Sequence, residues 1–307
     1  MNRIDTHQHV VPPRYAEWLR EKGIKPGGVD VPDWSESAAL EFMDGHGVQT
    51  GILSLSTPGV YFGDVAEARK WAREINVFCA EVRDRHPDRF GFFATLPMPD
   101  VDSAIEEAEY ALDVLDADGI VLIANYEGRY LGDSTFVPLL EFLHEREVTV
   151  FVHPGELPAE PVPGIPTFTA DFLLDTTRTA ISLILSEAME KYPDIRFILA
   201  HAGGFVPYIA YRILLTMAKE GLALDLGVLK RFYYDIALSA TPAALPGLLE
   251  VADPGHITYG SDFPFAPPIA VALVNGQYEK YPLDAELRQA IDRGNAETLF
   301  PRLKGQQ

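Results

Sequence analysis

Cysteine is nearly absent from this chain: Cys79 is the only one among 307 residues. No intrachain disulfide can form, which fits a reducing compartment, and a cytoplasmic location is expected. No apolar run reaches the roughly 18 residues that a membrane span requires. The first residues also lack the basic and apolar stretches of a secretory leader, so neither a membrane helix nor a signal peptide is expected. Basic residues are scarce, with 25 Lys and Arg against 45 Asp and Glu, a net charge of −20 and a pI near 4.7. Such acidity argues against nucleic acid and anionic membranes as partners. It also means that an anionic substrate needs a local positive site. Low-complexity stretches and long repeats are missing too. At 47% apolar residues the chain can still bury a substantial core.

What is present is a regular alternation. Short β-rich runs recur at 3–10, 50–56, 90–96, 119–124, 149–153, 196–201, 232–238 and 257–261. Amphipathic stretches lie between them, at 63–85, from Ser103 onward, and at 135–145, 172–191, 206–220, 242–251 and 285–300. Ser103-Ala-Ile-Glu106 reads as a capping box that opens the fourth strand's preceding helix. Eight strand–helix alternations predict a (β/α)8 barrel in one domain, 1–307, rather than an open sheet. The excursion at 12–47 after the first strand is expected to form a cap-like insertion. The proline-rich segment 156–168 reads as a stiff loop over the same face.

The chemistry-bearing residues sit where those runs end. His7 and His9 close the first run, His153 the fifth, His201 the sixth and Asp262 follows the eighth. Residues two apart in a strand share a face, so His7 and His9 project together while Gln8 points away. Barrel enzymes carry their chemistry at the C-terminal ends of strands. Imidazoles and a carboxylate gathered there make a site for a divalent transition metal. No lysine ends a predicted strand, which argues for one metal rather than a bridged pair.

Other candidates have plainer readings beside the functional one. Arg178 in Asp175-Thr-Thr-Arg178 either pairs with Asp175 or guides a carboxylate. Arg212 is read as a surface helix residue that could form a carboxylate fork. Phe168, Phe172 and Tyr61 either pack or stack on a planar substrate. His201 precedes Ala202-Gly203-Gly204, which is either a plain turn or a place where backbone approaches a ligand. His46, His86, His144 and His256 fall in turns, on helices or at a strand start, and read as structural. Asn295–Phe300 reads as the last helix docking on the barrel.

The motifs Asp5-Thr-His7-Gln-His9, Val152-His153-Pro, Asp175-Thr-Thr-Arg178, Ala200-His201-Ala-Gly-Gly and Gly260-Ser-Asp262-Phe-Pro-Phe resemble the amidohydrolase superfamily. The resemblance covers nearly the whole chain and is closest to the aminocarboxymuconate-semialdehyde decarboxylase-like branch. The run from Asp175 to Tyr208 is also similar to the 6-methylsalicylate decarboxylases of that branch. The resemblance implies one divalent metal, usually zinc and in some members manganese. It implies His7, His9, His153 and Asp262 as ligands, with His201 assisting a bound water or the substrate. It implies for Arg212 a contact with substrate carboxylate across a homodimer interface. A second arginine of the namesake, expected just before Met43-Asp44, is replaced here by Glu41 or a neighbour, which favours a substrate with one carboxylate.

The expectation is therefore a metal-dependent, non-oxidative decarboxylase of a small aromatic or enol-type carboxylic acid. His201 and Asp262 are the expected catalytic groups, and Arg212, Arg178 and Phe168 the expected substrate contacts. The same metal could instead activate water to hydrolyse a lactone, ester or amide. A barrel that binds without catalysis is the remaining reading.

Overall fold

The computed structural model describes residues 2–305. Eight parallel strands lie side by side in chain order: β1 (Arg3–His9), β2 (Val48–Ser54), β3 (Phe90–Thr95), β4 (Gly119–Ile123), β5 (Thr149–His153), β6 (Arg196–Leu199), β7 (Tyr233–Asp235) and β8 (Ile257–Thr258). Each corresponds to one of the eight predicted runs. Backbone bonds close the sheet between its first and last strands. Thr6 N donates to Tyr259 O at 3.0 Å, Asp262 N to His7 O at 2.8 Å and His9 N to Phe263 O at 2.6 Å. The result is the predicted (β/α)8 barrel.

The barrel interior is filled from alternate strand positions. Ile4, Ile52, Phe93, Val121, Phe151 and Ile198 meet on the axis, and Leu299, Phe300 and Leu303 plug the base. The final helical segment thus docks on the barrel, at its N-terminal end. Simple alternation along β1 cannot put both Ile4 and His7 on the axis. The pairing with β2 shifts register between Asp5 and Gln8. Such an irregularity re-aims the side chains that follow it. The His7 ring consequently stands 4.8 Å from the Phe151 ring, directly above the apolar layer.

The helices are α1 (Pro13–Glu21), α2 (Glu36–His46), α3 (Val65–Arg85), α4 (Val101–Asp113), α5 (Val137–Glu145), α6 (Thr167–Leu185), α7 (Ala188–Lys191), α8 (Val206–Lys219), α9 (Leu245–Val251), α10 (Pro268–Lys280), α11 (Ala285–Gln289) and α12 (Asn295–Leu299). None of the described helices is long and apolar enough to cross a membrane. In α3, Asp64 caps the first turn by accepting from Glu67 N at 3.1 Å, and Ala68, Trp71, Ala72, Ile75 and Cys79 form the buried stripe. Several boundaries differ from expectation for local reasons. The α4 cap is Asp100, which accepts from Ser103 N at 3.0 Å, so Ser103 stands inside the helix rather than starting it. The predicted helix 172–191 begins earlier and breaks at Glu187, whose φ is +59°. α10 had no clear periodic signal. The excursion after β1 has three pieces: α1 packs through Tyr15 and Trp18 on Trp71 of α3, α2 packs on β2 as an ordinary crossover helix, and between them Pro26, Gly27 and Val29 reach over the barrel mouth.

The turn after β6 carries His201. His201, Ala202, Gly203 and Gly204 all have positive φ, at +54°, +57°, +73° and +64°. Left-handed backbone is unfavourable for residues with a Cβ. It persists because Gly204 lies flat against α6, where an added Cβ would stand 2.1 Å from Leu173 O. The Gly-Gly pair is thus a tight turn that presents His201 to the barrel mouth. Gly204→Ala should lower unfolding free energy by at least about 1–3 kcal/mol. Urea titration of the two proteins checks this, and equal midpoints would contradict the account of the turn.

Candidate metal centre and cavity

Four imidazoles converge above the axis, and an acceptor fixes the outer nitrogen of each. His7 Nδ1 lies 2.9 Å from Asp235 Oδ2. His9 Nδ1 faces Ser54 O at 3.2 Å and Ser54 Oγ at 3.0 Å. His153 Nδ1 faces Pro154 O at 2.8 Å, and His201 Nδ1 faces Ala237 O at 3.2 Å. A carbonyl oxygen cannot donate, so those Nδ1 atoms carry the proton and each Nε2 is left with a lone pair. His7 Nε2 and His9 Nε2 stand only 3.1 Å apart, and Asp262 Oδ1 lies 3.4 Å and 3.1 Å from them. Ligand atoms of His7, His9, His153 and Asp262 all fall within 4.8 Å of one another. So many lone pairs in a buried space repel unless a cation sits among them. The donor set, three imidazoles and a carboxylate, fits a divalent transition metal.

The ionisation pattern of the protein alone says the same. Burial works against a charged His7, but Asp235 and Asp262 outweigh it and raise its pKa to about 10. Burial lowers His9, and it lowers His153 further with help from the neighbouring His9 and His7. His201 is lowered by burial and by His7. Asp262 is pulled well below the usual carboxylate range: burial opposes this, but hydrogen bonds from His7 and His9 win. Positive charge is thus demanded where the Nε2 atoms meet. Below them Asp5 ties the seam, its Oδ1 accepting from His7 N and Ser261 N at 3.0 Å each, and burial pushes its carboxyl up to about 7.

Beside the cluster opens a cavity of about 570 Å³. That size suits a small organic ligand. Its wall is mostly apolar, from Phe168, Phe172, Leu173, Leu238, Phe265 and Ala266, with Ser56, Thr57, Thr169 and Ser239 as polar points. His153, His201 and Asp262 form its floor, and among the described residues no Lys or Arg lines it. Pro26, Gly27 and Val29 roof it. Gly27, at φ +58°, lies against the Phe172 ring, where a Cβ would come within 2.9 Å of Cζ. Asp262 and Leu238 also hold positive φ, +65° and +52°, so strained backbone collects at this rim.

The structure brings together His7, His9, His153, His201, Asp262, Phe168 and Phe172. It does not bring the two arginines with them. Arg178 is exposed on α6 and donates to Tyr130 Oη at 3.3 Å, outside the cavity. Nor does it bond Asp175, which is buried and accepts instead from Gly155 N at 2.8 Å and Asn125 Nδ2 at 2.9 Å, bracing the loop after His153. Arg212 is exposed on the outer face of α8 and contributes nothing to the cavity of its own chain. Tyr61 lines a different cavity, of about 140 Å³. His46 is the last residue of α2 and bonds Phe42 O. Sequence reasoning missed Asp235, although it too is the polar residue that ends a strand, and it missed Ser54. Leu238 in the cavity wall had no local signal; the roof residues Pro26, Gly27 and Val29 fall within the stretch expected to form a cap, and Phe265 closes the motif that begins at Gly260, but none of them was singled out.

Residues 4–302 match the amidohydrolase family. A 6-methylsalicylic acid decarboxylase of Penicillium expansum is 36% identical over 99% of this chain and 98% of that protein. A crystal structure described as amidohydrolase II superposes with a TM-score of 0.93 at 32% identity, covering 97% of this chain and 99% of the other. A dihydroxybenzoic acid decarboxylase from Polaromonas sp., crystallised with manganese and 2-nitroresorcinol, superposes with a TM-score of 0.81 at 25% identity, over 98% of this chain and 97% of that one.

The different roles expected of His153 and His201 can be told apart by experiment. His153→Ala should lose bound metal, whereas His201→Ala should keep most of it and lose turnover by about 10²–10⁴. Elemental analysis beside steady-state rates checks this, and equal metal loss in both would make His201 an ordinary ligand.

Proposed function

The chain belongs to the amidohydrolase family, and on that premise we propose that its site removes carbon dioxide, without redox chemistry, from a small hydroxybenzoate of the salicylate type. It is a carboxy-lyase. The observation that carries the reading is the pairing of a buried His/Asp cluster with an apolar cavity that none of the described Lys and Arg residues lines. A cavity of that kind accepts one aromatic ring and one carboxylate, and it offers no partner for a second anionic group. The name of the Penicillium relative supports the same substrate class.

His7, His9 and His153 through Nε2, with Asp262, would hold one divalent ion. Zinc is our first assignment because three imidazoles and a carboxylate suit it. Manganese, which the Polaromonas enzyme carries, is the second. Bound there, the ion supplies Lewis-acid attraction for a carboxylate and its adjacent ring hydroxyl. Asp262 enters as a carboxylate, so the proton it delivers must first come from the substrate. The ring hydroxyl next to the carboxyl group is the acidic group within reach. Asp262 then returns that proton to the ring carbon bearing the carboxylate. Protonation interrupts the aromatic ring, the C–C bond breaks with its electron pair passing back into the ring, and carbon dioxide leaves. Burial keeps His201 neutral, and its Nε2 accepts the hydrogen bond of the ring hydroxyl, orienting the substrate until that proton passes to Asp262. Phe172 and Phe168 flank the ring.

Hydrolysis is the competing reaction for the same cluster, so the test includes both. Metal-loaded protein incubated with a panel of hydroxybenzoates and lactones should form phenol and carbon dioxide in equal amounts from a hydroxybenzoate. Lactone opening with no carbon dioxide from any hydroxybenzoate would overturn the reading.

Arg212 points away from the cavity of its own chain. We therefore include association in the proposal: Tyr208, Tyr211 and Leu215 are 91%, 72% and 71% exposed, and with Arg212 they share one face of α8. Such a face suits a second copy of the chain, and it would carry Arg212 towards the partner's substrate carboxylate. Arg212→Ala should weaken substrate binding by a factor of about 10–150, the equivalent of roughly 1.5–3 kcal/mol, and leave metal content unchanged. Mixing Arg212→Ala, assayed at a substrate concentration too low to occupy its weakened site, with the inactive Asp262→Asn should restore part of the activity once subunits exchange. A monomer with full activity at high dilution would refute the shared site.

A further inference from the structure

We propose that Asp235 is a positioning residue that sets, through one carboxylate, the orientation of both His7 and His201. Asp235 ends β7 and is fully buried. Its two oxygens serve different partners. Oδ2 accepts from His7 Nδ1 at 2.9 Å. Oδ1 accepts from the backbone of His201 at 3.2 Å and of Ala237 at 2.8 Å.

The second set of bonds reaches His201 twice. Asp235 holds the His201 main chain directly, inside the left-handed turn. It also holds Ala237, whose carbonyl accepts from His201 Nδ1 at 3.2 Å. Backbone and ring of His201 are thus referenced to one carboxylate. The first bond acts on the metal side. With a carboxylate at Nδ1, the His7 proton belongs on that nitrogen and Nε2 is free to ligate. His9 and His153 have only carbonyl or hydroxyl oxygens at Nδ1. His7 alone is backed by a carboxylate, which makes it the most basic of the three imidazole donors. Asp235 also lies within 4.8 Å of His7 and His201 as a second possible ligand group, but hydrogen bonds already join its members.

The inference rests on the proposed metal site and not on which reaction that site performs. The test is Asp235→Asn. The amide oxygen can still accept from the two backbone N–H groups, so the turn survives. The amide nitrogen now donates towards His7 Nδ1, which forces the His7 proton to Nε2, among the ligands. Zinc affinity should fall about 10–100-fold with the unfolding midpoint little changed. In nitrogen-15 histidine spectra of the zinc-loaded parent, His7 should show a protonated Nδ1 and a metal-bound Nε2. That Nδ1 proton should be the most slowly exchanging of the ring protons. Unchanged zinc affinity in Asp235→Asn overturns the role of Asp235. So does His7 bound through Nδ1 in the parent, a readout that stands even where the variant fails to fold. A parent that binds no zinc or manganese overturns the metal reading itself, and this inference with it.

Discussion

Two backbone bonds across the seam of the barrel, Asp262 N to His7 O and His9 N to Phe263 O, hold the site together. They join the first strand to the segment after the last. The residues they fix are the same ones whose side chains meet over the axis. Closure and site assembly are therefore one event. An open sheet with the same strands would leave Asp262 at the opposite edge from His7. Asp5 reinforces the seam from below by accepting from both His7 N and Ser261 N.

Closure also explains the electrostatics. It forces imidazole nitrogens and a carboxylate into a buried space that no described Lys or Arg lines. Each Nδ1 is taken by an acceptor, so lone pairs face inward and the space favours a cation. The chain is strongly acidic overall, and among the described residues no Lys or Arg lines the cavity. The attraction that an anionic substrate needs therefore does not come from a basic side chain lining the cavity among the described residues of the same chain. An apolar wall then makes that attraction strong, because little solvent screens it.

The strained backbone lies where this arrangement demands it. His201, Ala202, Leu238 and Asp262 hold positive φ at the ends of strands six, seven and eight. Other non-glycine residues of this kind, such as Glu147 and Glu187, sit in turns away from the cavity. At the rim the strain turns side chains inward that a straight strand would aim elsewhere. Packing of Gly204 on α6 and the bonds to Asp235 keep those turns in place.

The sequence by itself determined the eight strands, their order and the residues that end them. Those features are local: a short apolar run, a polar terminus and a helical period before the next run. It also determined that His7 and His9 share a face, because alternation along a strand requires nothing from the rest of the chain. Tertiary structure decided the rest. His7 and Asp235 are 228 positions apart, and no local pattern links them. The register shift in β1 that places His7 over Phe151 depends on pairing with β2. Arg178 and Arg212 looked alike as charged residues on predicted helices, and only packing showed both outside the cavity of their own chain. The roof from Pro26 to Val29 came from a stretch that also holds α1 and α2, and those helices had apolar faces to bury, α1 against Trp71 and α2 against β2, which the turn between them did not. Strand ends name the participants; only the closed barrel fixes which nitrogen faces which oxygen.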